Sequence, residues 1–427
     1  MEQQITYSAE QMLEDIFLYM SQLVDEKDFS KVVSLLTDLG RVLAHSERAS
    51  FWYWDAKHKQ YWTLAAVGSD KITIPEGSGI IDASIQNKET IVINDPYQDE
   101  RFNPAVDKQT GFVTKSILCM PVTNAKGKVI GAYQAINKLN ADGTAGTFDE
   151  KDKKIAVMCG MSGVFAALFG TPMAAAIFSM EVISIGVMYY AALVPCVFSA
   201  FTAAALARFW GLMPEQFAIG AVPAWSIETA IVAVGLAAGC ALVSELFCIA
   251  LHTTEHLYKK YLPSPVWRIL SGAAIVIVLT LLTGSTRYNG SGFSLIEKCF
   301  EGEGLPWDFL IKILFTTVTL EAGFKGGEIV PTLTIGAAFG SFFAFLFGQP
   351  VGLMTACGML GLFVGVTNCP ISTLLLGFEL FGYEAMPFFV LVIAVSFSFS
   401  GYYSLYASQK FIYSKTRTEF INRKTNK

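Results

Sequence analysis

Two uncharged stretches of the chain share residues whose types and spacing suit ion transport. Cys159–Glu181 reads CGMSGVFAALFGTPMAAAIFSME, and Cys357–Glu379 reads CGMLGLFVGVTNCPISTLLLGFE. The positions that agree, at one offset and with no gap, are Cys159, Gly160, Met161, Gly163, Phe165, Pro172 and Glu181 of the first copy. Glycine- and proline-broken apolar segments in matching positions are typical of transporters built from repeats. The alternative is chance similarity between two glycine-rich apolar stretches.

The glutamates that close the two copies, Glu181 and Glu379, are candidate functional residues. An ionisable side chain at the end of an apolar membrane helix commonly serves transport. The same carboxylates could instead accept hydrogen bonds from the backbone amides of buried helix ends. The symmetric placement of the two glutamates in the repeat favours this structural role.

A second glycine-rich element, GGEIVP, occupies Gly326–Pro331. Its glycines leave backbone N–H groups accessible, and proline suits the first turn of a following helix. A helix N-terminus at membrane depth presents free amides and the positive end of the helix dipole, which together bind anions. A tight packing turn would need the same glycines. The residues alone leave an anion site and a packing turn as alternatives.

Charged residues are distributed unevenly along the 427 residues. Residues 1–155 hold 39 of the 67 Lys, Arg, Asp and Glu side chains, and residues 156–427 hold the other 28. This division predicts a soluble domain followed by a membrane domain. The net charge of -5 and the lack of a basic patch give no indication of nucleic-acid binding. Since no nucleophile–base set stands out, we expect neither an enzyme nor a bound metal.

The soluble part, residues 1–155, reads as an α/β domain with an antiparallel sheet. Amphipathic patterns predict helices over 8–24 and 29–45, and a further helix begins after Thr147. A turn at Asn124–Lys128 joins the last two of five predicted strands. These strands are Ala49–Trp54, Tyr61–Val67, Thr90–Ile93, Ser116–Val122 and Val129–Ile136. The acidic N-terminus has no signal-peptide pattern, so we expect this domain to lie in the cytosol.

Residues 10–155, and in particular the segment Ile93–Lys138, resemble GAF domains, especially those of cyclic-nucleotide phosphodiesterases and some adenylate cyclases. The Asn-Lys-Phe-Asp-Glu signature of that family falls on Asn137, Lys138, Phe148 and Asp152. Lys153 replaces the final glutamate. In the family these residues support the ligand pocket without contacting the nucleotide. The resemblance implies a sensor that binds cyclic AMP or cyclic GMP, and a ligand-free dimerisation or packing domain is the alternative.

The membrane part, residues 156–427, contains apolar stretches long enough to cross a hydrocarbon core of ~30 Å. They are Ala156–Met180, Val182–Ala207, Thr229–Tyr261, Ile269–Thr286, Ile329–Phe378 and Ala385–Gln409. Prolines and glycines break the fifth stretch, which therefore predicts several short helices packed inside protein. Small-residue pairs that allow close helix contact are Gly235/Gly239, Gly336/Gly340 and Gly361/Gly365. Lys259, Lys260 and the basic C-terminal tail indicate ends that face the cytosol.

Residues 155–415 resemble the CLC family of chloride channels and chloride/proton exchangers. GGEIVP is similar to the family's Gly-x-Phe-x-Pro filter element, with Ile329 at the phenylalanine position. Glu328 is acidic where many members carry an aliphatic residue. Leu405-Tyr406 is similar to the segment whose tyrosine hydroxyl contacts the central anion. The resemblance implies that the anion is bound by Gly327, Glu328, Ile329, Val330 and Tyr406.

The segment FGTPMAAAIFSMEV, Phe169–Val182, is similar to the family's helix-pair motif. Proton-coupled members carry a second glutamate directly after the position of Glu181, where it serves as an internal proton acceptor. Val182 occupies that position here, as in channel-type members. The resemblance therefore implies passive anion flow and not proton-coupled exchange.

Two other pore elements of the family, Gly-Ser-Gly-Ile-Pro and Gly-(Lys or Arg)-Glu-Gly-Pro, do not occur in the sequence. We therefore expect a multidomain protein in which the α/β GAF domain precedes an all-α polytopic CLC-like domain with an incomplete inverted repeat, lacking the N-terminal helices. One predicted function is an anion channel with a cytosolic sensor. The other is a non-conducting membrane-tethered ligand-binding protein. The resemblance also implies a homodimer in the lipid of the cell membrane, with chloride or other small anions as partners.

Overall fold

A computed structural model describes residues 19, 22, 26 and 28–426, apart from 68–70, 124–128, 141 and 213–216. The predicted helix over 8–24 and the predicted turn at Asn124–Lys128 lie outside the described residues. The chain divides into two compact units. The first contains Met1–Val164 and Val194–Phe209, and the second contains Phe165–Leu193 and Trp210–Lys427. The predicted boundary at residue 155 falls inside a continuous helix, Glu150–Phe169.

The first unit is built on a six-stranded antiparallel sheet with the strand order β3-β2-β1-β6-β5-β4. The strands are β1 (Ser46–Asp55), β2 (Gln60–Ala66), β3 (Thr73–Pro75), β4 (Ile91–Ile93), β5 (Ile117–Thr123) and β6 (Val129–Lys138). The predicted antiparallel sheet and five of its strands are confirmed. β3 was not predicted because three residues are too few to show an alternating pattern.

Helices cover both faces of this sheet. They are α1 (Phe29–Leu43), α2 (Gly79–Asn87), α3 (Ala105–Thr110) and α4 (Glu150–Phe169). Because side chains alternate along a strand, Ile117 and Cys119 of β5 join the core that contains α2, whereas Leu118 packs on the opposite face with Phe148. The sequence predicted α1 and α4 but not α2 and α3, which are too short for a clear helical period.

The predicted span Val182–Ala207 is wrong in its first part. Residues Ser184–Ile185 form a short strand, β7, and Gly186 follows with φ of 88°. This left-handed backbone stops regular structure, so α6 (Leu193–Phe209) follows only after a 3-10 turn at Tyr190–Ala192. An apolar composition alone could not reveal this break.

The second unit is mainly helical. Its further elements are α5 (Pro172–Glu181), α7 (Ile227–Tyr261), α8 (Pro265–Thr283), α9 (Phe293–Phe300), α10 (Asp308–Glu321), α11 (Ile329–Phe347), α12 (Val351–Thr367), α13 (Pro370–Phe381), α14 (Met386–Phe399), β8 (Lys410–Tyr413) and β9 (Phe420–Lys424). β7 pairs with β8 in parallel, and β8 pairs with β9 antiparallel. The predicted all-α character of the membrane part holds apart from this small sheet.

The long apolar run from Ile329 to Phe378 is divided into several helices, as predicted. Gly348 ends α11 with φ of 64°, and Pro350 precedes α12. Asn368 ends α12 with φ of 61°, and Pro370 opens α13. Left-handed residues followed by proline are the usual end and start of successive helices.

Four helices in the described part of the chain are long and apolar enough to cross a membrane. They are Tyr190–Phe209, Ile227–Tyr261, Pro265–Thr283 and Ile329–Phe347. Three shorter apolar helices are Val351–Thr367, Pro370–Phe381 and Met386–Phe399.

Glycines bring α11 and α12 into backbone contact. A Cβ atom on Gly340 would lie 2.2 Å from the carbonyl oxygen of Met354, and one on Gly336 would lie 2.5 Å from the carbonyl oxygen of Gly358. Real Cβ atoms do not approach backbone so closely, so only glycine permits this packing. The predicted role of the Gly336/Gly340 pair in close helix contact is confirmed.

We expect Gly340→Ala to destabilise the second unit, because the added methyl group must separate two packed helices. Overpacking of this kind costs about 1–3 kcal/mol. The measurement is the melting temperature of the purified protein in detergent. Gly235→Ala is the control, since its Cβ would lie at an ordinary 3.6 Å from the Phe343 ring. Equal melting temperatures for the two variants would contradict this account.

Candidate functional site

The N-terminus of α11 carries the residues predicted to bind an anion. Gly326 and Gly327 are exposed, and Glu328 is the N-cap residue of the helix. No described side chain caps this helix end by a hydrogen bond. The first amides of a helix have no intrahelical acceptor, and the helix dipole adds partial positive charge there. The amides of Ile329 and Val330 therefore remain suited to an anion.

Tyr406 lies in the segment after α14, and hydrogen bonds of its backbone hold it in place. Its N–H donates to Ser404 Oγ at 3.1 Å, and its carbonyl oxygen accepts from Thr425 Oγ1 at 2.9 Å. Thr425 directly follows β9, so the C-terminal strand pair helps to hold the tyrosine. Tyr406 also packs against the hydrophobic core that contains Ile335 of α11. The structure thus places Tyr406 and α11 in one core.

Glu328 places a carboxylate at this helix end. Its side chain is partly buried. A negative charge at the anion site opposes anion binding unless a proton or a nearby cation balances it. Any transport mechanism must therefore include the protonation state of Glu328.

The two repeat glutamates form a reciprocal pair of helix caps. The Glu181 carboxylate, at the end of α5, accepts hydrogen bonds from the N–H groups of Ile371 at 3.2 Å and Ser372 at 2.9 Å. The Glu379 carboxylate, near the end of α13, accepts from the N–H groups of Met173 and Ala174, both at 2.9 Å. Each helix therefore ends in a carboxylate that caps the start of the other. These are the hydrogen bonds expected if Glu181 and Glu379 serve to cap buried helix ends.

The GAF signature residues form a support network in the first unit. Asn137 accepts from the N–H of Lys115 at 2.6 Å and donates to the carbonyl oxygen of Val113 at 2.9 Å. Lys138 Nζ pairs with Asp152 at 2.7 Å. Phe148 is 1% exposed, and its N–H donates to Asn94 Oδ1 at 2.9 Å. The signature therefore ties the strand and loop ends of the domain to α4.

A cavity of about 90 Å³ lies elsewhere in this unit, lined by residues of β1, β6, α2 and α3. None of the four signature residues is among its described lining residues. Lys153, which replaces the signature glutamate, pairs only loosely with Glu89 at 3.7 Å. The departure from the family pattern therefore leaves the Lys138–Asp152 pair intact.

One buried polar cluster was not predicted. Asp308 is fully buried and accepts from Arg287 at 2.7 Å and from the Tyr288 hydroxyl at 2.6 Å. Lys312, 1% exposed, donates to the carbonyl oxygens of Tyr288 and Gly290. The i, i+4 spacing of Asp308 and Lys312 suggests a helical ion pair, but these partners lie far along the chain. The only indication of this cluster in the sequence was the presence of two charged residues, Asp308 and Lys312, in the apolar helix α10.

A model of the voltage gated chloride channel family matches residues 108–401. The chain belongs to this family. The match begins inside the α/β unit and covers all helices from α4 to α14. Its range contains GGEIVP and the helix-pair motif, two of the segments that carry the resemblance seen in the sequence.

Two similar proteins carry names that differ in transport mechanism. The chain is 35% identical over 274 residues to a chloride/fluoride channel protein of Pseudomonas syringae pv. tomato. The aligned residues cover 62% of this chain and 60% of that protein. The chain thus spans about 60% of the length of this relative. The crystal structure of a CLC-type fluoride/proton antiporter is 34% identical with a TM-score of 0.59, and the likeness covers 61% of this chain and 67% of that one.

The crystal structure of the GAF domain from an Acinetobacter phosphoenolpyruvate-protein phosphotransferase is 16% identical with a TM-score of 0.29, and the likeness covers 37% of this chain and 95% of that one. Part of the chain is 40% identical over 116 residues to the dual 3',5'-cyclic-AMP and -GMP phosphodiesterase 11A of Takifugu rubripes. That likeness covers 26% of this chain and 12% of the phosphodiesterase. The two-part resemblance expected from the sequence, a GAF domain joined to a CLC-like part, is confirmed.

We expect Glu379→Gln to lower the stability of the second unit, because one carboxylate oxygen that accepts an amide becomes an NH₂ group. A lost charge-assisted hydrogen bond costs about 1–3 kcal/mol. The readout is the melting temperature in detergent, with the exposed Glu384→Gln as control. A Glu379→Gln variant that melts like the parent would contradict the capping role.

Lys138→Met should destabilise the α/β unit, since it removes a largely shielded ion pair and leaves Asp152 without its ammonium partner. We expect a loss of about 1–3 kcal/mol, measured as earlier thermal unfolding of this unit. Lys153→Met is the matched control, because its exposed pair contributes at most about 1 kcal/mol. If Lys153→Met destabilises the unit as much, the Lys138–Asp152 pair is not the main support.

Proposed function

We propose that the membrane part of this chain conducts small anions, chloride or fluoride, along a path that passes the α11 N-terminus and Tyr406. The observation that carries this proposal is the α11 helix end, where exposed glycines and uncapped amides begin a helix whose Ile335 shares a hydrophobic core with Tyr406. A helix N-terminus inside a membrane protein stabilises an anion through its amides and dipole. Family membership supports the same conclusion.

We further propose that the anion flow is passive. Val182 stands where proton-coupled members place the second glutamate, so this route supplies no internal proton acceptor. The relatives are named both as a channel and as a proton antiporter, so proton movement has to be measured directly. Glu328 is the residue that would link anion flow to proton movement, because its carboxylate must be neutralised for an anion to approach.

The proposed setting is a homodimer in the cell membrane, with the α/β unit in the cytosol. Lys259 and Lys260, at the end of α7, and the basic tail carry the positive charge that marks cytosolic ends. The dimer follows from the family resemblance. In this arrangement the α/β unit acts as a ligand sensor, and cyclic AMP or cyclic GMP is the candidate ligand that its relatives suggest.

The second candidate function is a membrane-tethered ligand-binding protein that conducts nothing. The observation that favours it is the absence from the sequence of the two other pore elements of the family. Without the serine and the gating glutamate that they supply, the α11 helix end would face an incomplete path.

The test is anion efflux from liposomes that contain the purified full-length chain. We expect chloride or fluoride efflux without stoichiometric proton movement, and an altered or lost flux in Tyr406→Phe. Removing one hydrogen bond to an anion weakens its binding by about tenfold. Ion-selective and pH electrodes measure the two fluxes, and Tyr383→Phe, an exposed tyrosine, is the control. No efflux from well-folded protein would exclude conduction and leave the tethered ligand-binding function, whereas coupled proton flux would exclude the passive mechanism.

A further inference from the structure

The cavity of about 90 Å³ in the α/β unit is lined mainly by apolar side chains, with a few polar ones. Ile80 of α2, Val106 of α3 and Ile117 of β5 supply apolar walls, and Arg48 and Gln134 come from the neighbouring strands β1 and β6. Since a concave apolar site with a few convergent polar groups is the usual form of a ligand pocket, its polar groups indicate the ligand's chemistry.

The only carboxylate among the described lining residues is already occupied. Asp107 accepts from the Tyr97 hydroxyl at 2.7 Å and from both the N–H and the hydroxyl of Thr114 at 2.8 Å. It is 7% exposed. A ligand cation would have to compete with three hydrogen bonds for this group, so the cavity does not present a free acceptor.

Two further polar lining residues, Arg48 and Gln134, offer donors. The guanidinium of Arg48 lies 3.9 Å from the centre of the Phe112 ring, and no described carboxylate forms an ion pair with it. The side-chain oxygen of Gln134 accepts from the Trp52 indole N–H at 3.1 Å, which leaves its NH₂ group as the donor. A guanidinium fixed on an aromatic ring and next to an amide suits the oxygens of a phosphate or carboxylate.

A second, outer cavity of about 350 Å³ shares Gly79, Phe102 and Asn103 with the first. Its charged lining includes Asp82 and Glu100, and its one arginine, Arg101, is paired with Asp99 at 2.6 Å. This lining repels an anion, so the negative end of a ligand points inward. The inner cavity is well below the ~300–1,000 Å³ of pockets for drug-sized ligands. It holds an anionic group and a small body, and a larger ligand would extend into the outer cavity.

We propose that the inner cavity binds the anionic oxygen group of a small metabolite through Arg48 and Gln134. The group is either the cyclic phosphodiester of a nucleotide, whose base and ribose then lie in the outer cavity, or the carboxylate of a small organic acid. This inference rests on the proposed sensing role of the α/β unit and defines the charge of its ligand.

The experiment is calorimetric titration of the full-length chain in detergent with cyclic AMP, cyclic GMP, inorganic phosphate and acetate, and with adenosine as a neutral probe. We expect at least one anion to bind and Arg48→Met to weaken it by at least about tenfold, the value of a charge-assisted contact. Arg48→Lys should lose less, since it keeps the charge. Arg417→Met, an exposed arginine in the other unit, should bind like the parent.

The separate probes distinguish the two sources. Binding of a cyclic nucleotide but not of acetate identifies the phosphodiester, and binding or competition by acetate identifies the carboxylate. Gln134→Leu provides a second test if Arg48→Met does not elute as a single species. Unchanged affinity in both variants, equal binding of adenosine and cyclic AMP, or no binding of any anion at millimolar concentration would overturn the proposal. If a ligand binds in an Arg48-dependent way but leaves anion efflux unchanged, the binding site is supported and only the proposed sensing role in anion conduction is refuted.

Discussion

The second unit depends on the need to satisfy helix-end amides away from water. An unpaired backbone donor inside a membrane protein costs several kcal/mol, so each broken helix needs an acceptor at its start. Glu181 and Glu379 meet this need for each other's helices, while the prolines at positions 172 and 370 each remove one donor. The repeat therefore uses two carboxylates to cap two helix starts. Loss of either carboxylate leaves the first amides of the other helix without an acceptor.

The same rule gives α11 its distinct character. Its first turn lies in a helix as apolar as α5 and α13, yet no described side chain caps it. Its amides are therefore free for a mobile ligand, whereas those of α5 and α13 are bound by fixed carboxylates. In the proposed function a permanent carboxylate cap at α11 would exclude the anion, so the position of Glu328 at this helix end is central to the electrostatics of the site.

Local patterns predicted what local interactions determine. Alternation identified five strands, and glycine–proline breaks identified the division of the run from Ile329 to Phe378. The short helices α2 and α3 were missed because their stability comes from packing on the sheet. The side-chain donors to Asp308 and the backbone donors to Glu181 lie 20 to 191 residues away, so no spacing rule could assign them. The break at the start of the predicted span Val182–Ala207 likewise involves the pairing of β7 with β8, which is a long-range contact.

In the α/β unit, the residues that support the fold are separate from the residues that line the cavity. Asn137, Lys138 and Phe148 bind backbone groups and α4, while Arg48 and Gln134 face the cavity from β1 and β6. A signature based on support residues therefore identifies the fold without specifying a ligand. The same separation explains why Lys153 can replace the family glutamate, since its weak pair with Glu89 adds little and the Lys138–Asp152 pair carries the connection. Ligand identity must be derived from the charge and size of the cavity and not from the family signature.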